Sequence, residues 1–85
     1  MTPVIVHWND AHADSAGSWV EPHNVDQRPY LVRSVGWLVA EDAGGKPGHM
    51  TIAQSIGAFD ADDVEALDHV LHIPVGMVCL VRSVM

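Results

Sequence analysis

Eighty-five residues with four Lys or Arg against eleven Asp or Glu, a formal net charge of −7, make one domain without the basic stripe that nucleic-acid binding needs. The longest apolar runs, Val35–Ala40 and Val75–Val81, fall far short of the roughly 20 residues that span a bilayer. Cys79 is the only cysteine, which excludes an intrachain disulfide and a cysteine-built zinc site.

In chain order, Met1-Thr2-Pro3 lacks the basic start and apolar stretch of a signal peptide, which with the single cysteine predicts a reducing cytoplasm. Val4-Ile5-Val6-His7-Trp8 alternates, with Val4, Val6 and Trp8 on one face, and predicts a first strand. Asn9–Ser18 is small and polar and reads as a loop, followed by the apolar island Trp19-Val20 and an irregular stretch between Pro22 and Pro29. Tyr30–Glu41 is the strongest strand. Leu31, Val35, Trp37 and Val39 share one face; Tyr30, Val32, Gly36 and Leu38 share the other. Gly36 sits where such a long strand would bend.

The turn Asp42–Gly48 leads into a hairpin partner, His49–Ile56, with Met50 and Ile52 on one face. Phe59–Ile73 admits two readings. Asp60 could cap a helix carrying Val64, Leu67 and Leu71 at helical spacing. The reading adopted is a polar loop or single helical turn over Asp60–Leu67, then a strand Asp68–Ile73. Pro74–Met77 predicts a tight 3₁₀ turn into a last strand, Val78–Val84. Five short strands with that turn before the last predict an all-β domain over residues 1–85, a small five-stranded SH3-like or Sm-like barrel. Apolar residues at 48% of the chain exceed what a thin core absorbs, which predicts a homo-oligomer.

Chemistry-bearing residues are sparse. Asp10, His12 and Asp14 alternate, so an extended loop presents all three to one side; no metal-site spacing is matched, and no metal is expected. Asp10 and Asp14 equally suit local bonds to their own backbone. Cys79, inside an apolar strand, reads as inert packing. No serine lies in a nucleophile-elbow context, so no catalytic residue is assigned. Trp8 and Trp37 have the parity of core residues, with a ligand-facing role left open. Trp19, in a loop, is the candidate for stacking on a ligand. Arg33 shares an apolar face with Leu31, Val35 and Trp37, where it either snorkels or awaits an anion.

Beyond these features, Val6-His7-Trp8-Asn9-Asp10-Ala11-His12 followed by Trp19 resembles a Trp-x-Asp-Ala opening of small bacteriophage proteins. Ser34-Val35-Gly36-Trp37-Leu38-Val39, Ile52-Ala53-Gln54-Ser55 and His72-Ile73-Pro74-Val75-Gly76-Met77-Val78 resemble later blocks of the same family. The resemblance implies a phage origin, expression in a bacterial cytoplasm and a small barrel, but no activity. Such small oligomeric phage proteins suit a counter-defence role, including sequestration of nucleotide immune signals.

The expectation is therefore an oligomeric binding protein that captures a nucleotide-like small molecule. Trp8, Asp10, His12, Trp19, Arg33 and Trp37 are its candidate ligand-binding residues. It needs no cofactor and has neither nucleic acid nor membrane as partner. The alternative is an inhibitor that binds a basic host protein through the acidic surface at Asp60, Asp62, Asp63 and Glu65. A metal-dependent phosphodiesterase using Asp10, His12 and Asp14 is the enzymatic reading, and it ranks below both.

Overall fold

The computed structural model describes residues 1–14 and 19–84. Five strands, β1 (Pro3–Asp10), β2 (Tyr30–Val39), β3 (His49–Gly57), β4 (Ala66–Pro74) and β5 (Val78–Ser83), form one antiparallel sheet in the order β4-β3-β2-β1-β5. One-turn 3₁₀ segments lie at Pro22–Asn24, Glu41–Ala43 and Val75–Met77. The all-β expectation holds. The sheet is open, with β4 and β5 at its two edges and no ladder between them among the described residues. Asp60–Leu67 carries no helix: Asp63 N–H donates to the Asp60 carbonyl in a turn, and β4 begins at Ala66. The loop read over Asn9–Ser18 gives up Asn9 and Asp10 to β1, and its residues 15–18 lie outside the described part.

Why the sheet curls follows from one connection. Four interstrand gaps of about 4.8 Å would hold the edges of a flat sheet about 19 Å apart. The step from Pro74 to Val78, four residues, reaches about 14 Å at full extension. The edges must bend towards each other, and the concave side becomes the core.

Register places Val4, Val6 and Trp8 of β1 opposite Gly36, Ser34 and Val32 of β2, all on that concave side. Val4 and Val6 pack with Ile52 of β3 and Ile73 of β4, flanked by Trp8, Leu38, Met50 and Val78. Contact between β1 and β4, three positions apart in the sheet, is the product of the curl.

Gly36 marks the bend in β2. Pairing of β2 with β3 covers only Trp37–Val39 with Ala53–Thr51, and stops where Gly36 begins. A Cβ on Gly36 would lie 2.8 Å from the Ala53 carbonyl oxygen, so only glycine lets the strands part there. The N-terminal half of β2 then pairs with β1 alone, and β3 and β4 continue without β2 as a two-stranded arm.

On the convex side, the connection after β2 folds back over Val39 and Thr51, which are buried, as is Ala53. Gly45 approaches too closely for a side chain, its Cβ position 2.2 Å from the Val39 carbonyl oxygen. Thr51, buried and polar, has its hydroxyl oxygen satisfied: it accepts from Lys46 N–H at 3.0 Å and lies 2.9 Å from His72 Nδ1.

Candidate ligand-binding site

The six candidate residues separate into different neighbourhoods. Trp8 and Arg33 meet at a hollow of about 450 Å³ between β1, β2 and β5, which is also lined by His7, Leu31, Val32, Cys79 and Leu80. A bulge in β5 opens it. His7 pairs with Leu80 but Trp8 pairs with Val78, so Cys79 is an extra residue that bends the edge strand away. The same bulge exposes Cys79, which corrects the expectation of a buried, packed thiol.

Trp8 is anchored from below: its Nε1–H donates to Ser34 Oγ at 3.0 Å and its ring rests on the core cluster. Arg33 stands directly opposite His7 on the convex face, with Leu31, Val35 and Leu80 exposed around it. Among the described residues Arg33 has no carboxylate partner. His7 Nε2 is buried and has no hydrogen-bond partner among them either. An orphaned polar atom of this kind costs about 1–3 kcal/mol. A cation without a carboxylate partner at the edge of a largely apolar hollow is suited to an anionic ligand.

His12 and Trp19 belong to a second neighbourhood, built by the loop between β1 and β2. His12, Asp14 and Asp26 bring one ligand atom each to within 4.8 Å of one another. Asp26, not Asp10, completes that group; Asp10 instead accepts the Ala11 N–H at 2.8 Å. Asp14 accepts the Asp26 N–H at 3.1 Å, and His12 packs against Tyr30 with ring centroids 5.8 Å apart. Arg28 clamps both oxygens of Asp26, Nε to Oδ1 at 2.9 Å and Nη2 to Oδ2 at 2.6 Å. Those hydrogen bonds from Arg28 hold the Asp26 carboxyl well below the usual carboxylate range. Any divalent cation held by the three side chains would share Asp26 with Arg28.

Trp19 is fully exposed and lines a hollow of about 370 Å³ with Asp14, Glu21 and Asp26. Three carboxylates around that ring repel an anion. Trp37 lies elsewhere again, half-buried on the convex face between Pro3 and Ala53. Its alternation matched a strand, but which face was concave depended on the curl.

Two residues of this region carried no signal that reached the sequence reading. His7 pointed away from the core in a strand, a position with many innocent explanations. Asp26 is twelve residues from Asp14, and only loop closure brings them together. No family model, curated protein or solved structure matches this chain.

Proposed function

We propose that the protein is a homo-oligomeric binding protein that captures a small nucleotide-like anion in the hollow between β1, β2 and β5. Arg33, lining the hollow with no carboxylate partner among the described residues, carries this reading. Arg33 would take a phosphate, and the apolar lining from Leu31 and Leu80 would offer a surface for a base. Trp19 has no part in it, because its surroundings are acidic.

Sheet order and the 3₁₀ turn linking the two edge strands support an SH3-like or Sm-like small barrel. A phage origin and a counter-defence role as a sponge for a nucleotide signal, acting in the bacterial cytoplasm, rest on the sequence resemblance. Capture rather than turnover is the proposed activity, since a sponge needs only affinity.

Native mass spectrometry with a panel of linear and cyclic nucleotides tests it. The expected outcome is one ligand mass per hollow, lost in Arg33→Ala and kept in Trp19→Ala. A wild-type spectrum with no adduct across the panel, or undiminished binding by Arg33→Ala, would sink the assignment.

A further inference from the structure

We propose that the β3–β4 arm of a second copy closes the open side of the hollow between β1, β2 and β5. In that arrangement Phe59 supplies an apolar wall and the acidic arm tip faces Arg82. Its ligand-enclosing half rests on the capture reading above; its assembly half does not.

The arm needs a partner. Ser55–Gly57 pairs with Asp68–Ala66 beyond the last contact with β2, leaving a ribbon of two strands. Such a ribbon is at best marginal alone in water. Its tip presents Phe59 at 106% and Val64 at 95% exposure, and Leu67 is exposed behind them. The molecule is elongated, measuring 58 Å by 22 Å by 22 Å. Its radius of gyration is 16.6 Å, against about 12 Å for a compact chain of this length.

The receiving surface lies on the same chain, on the convex face of β1, β2 and β5. Leu31 is 69% and Val35 64% exposed there, with Leu80 beside them. Two exposed apolar surfaces on a chain with so few buried side chains are the signature of a subunit contact.

Charge selects the occupant. Residues 58–68 contain Asp60, Asp62, Asp63, Glu65 and Asp68 and no Lys or Arg. On the receiving face Arg82 pairs with Ile5, as Arg33 pairs with His7, so the two arginines flank β1 on one surface. Neither has a carboxylate partner among the described residues. An acidic apolar knob and a basic apolar face on one chain are complementary head to tail, a heterologous contact that a ring can close. With Arg82 facing the arm, Arg33 stays available to the ligand. Closure also answers the geometry of the hollow, because small-ligand sites enclose about 70–90% of their ligand and this one is open.

The test needs no ligand. Native mass spectrometry would be run on wild type, on Arg82→Glu, on Asp62→Arg/Asp63→Arg and on an equimolar mixture of the two variants. Iodoacetamide labelling of Cys79 in the hollow would report whether the arm covers it. The expected result is an assembled wild type and at least about tenfold weaker assembly of each variant. Alternating co-assembly should return on mixing, because each variant's arm then meets a face of opposite charge. Cys79 should label more slowly in wild type than in Arg82→Glu or Phe59→Ala; Phe59, wholly exposed in the single chain, can be truncated without a folding penalty. A monomeric wild type, including one whose arm instead takes a basic host protein, would overturn the inference. Assembly that ignores both charge reversals would overturn it too. Nucleotide binding by a monomer would leave the capture reading standing. Assembly without nucleotide binding would refute capture and keep the contact.

Discussion

β3 and β4 run through two different environments, and the contrast between their halves organises the molecule. Near Ile52 and Ile73 they are roofed by β1, and both side chains are buried. Beyond Ala53 they leave β2 behind, and Leu67 is exposed although the backbone pairing continues. The ladder is the same in both halves; the second layer is not. Hydrogen bonds alone contribute little net stability in water, so the body holds the fold and the arm depends on whatever covers it.

The largest predicted effect lies in the body. Ile73→Ala should cost about 2–5 kcal/mol in chemical denaturation. Leu67→Ala, measured in the Arg82→Glu background where assembly is disfavoured, should cost less than about 1 kcal/mol. Equal losses at the two positions would mean that the arm is packed within the single chain.

Next is the point where the two halves part. Gly36→Ala pushes a methyl against the Ala53 carbonyl oxygen and should cost about 1–3 kcal/mol, read as a lower denaturation midpoint. A neutral outcome would show that β2 and β3 can separate there without glycine.

A smaller effect of opposite sign is expected in the arm. His69 adopts φ 51°, the left-handed region, at the position where the β3–β4 register skips a pair. His69→Gly should relieve about 1 kcal/mol of backbone strain. It should leave the body's amide exchange unchanged while altering exchange in residues 54–57 and 66–69; a change in the body instead would mean the halves are coupled.

The smallest effect belongs to the loop that joins β1 to β2. The Asp26 carboxyl is held below its ordinary 3.8 by hydrogen bonds from Arg28. Its folded pKa is the lower one, so its contribution is complete above the unfolded value and is lost only as pH falls through the depressed one. Carboxyl ¹³C NMR should find Asp26 still ionised where an ordinary aspartate is half protonated, and Arg28→Ala should return it towards 3.8. Ordinary titration in the wild type would show that the clamp does not persist in solution.

Much of the fold was legible in the chain because its signals are local. Alternation in Val4–Trp8 marked β1, Pro74 ended β4, and the Pro-Val-Gly-Met stretch marked the turn before β5. The helical spacing of Val64, Leu67 and Leu71 was a false signal, because periodicity without a surface to bury against does not make a helix. The candidate site was legible only in part. Arg33 on an apolar face was a local contradiction and stood out at once. Trp19 stood out as an aromatic in a loop, but the carboxylates around it lie two to seven positions away and are gathered by the fold of the loop.

The sequence by itself determined five strands, one thin core and an acidic surface, because alternation, turn residues and charge act between near neighbours. Tertiary structure alone decided that Trp8 lies on the concave side and Trp37 on the convex side. It also gave His7 and Arg33 a shared hollow at the β5 bulge and left β3 and β4 without cover as an arm. Each of those outcomes depends on the direction in which the sheet curls, and the curl is set by a short connection between strands at opposite edges.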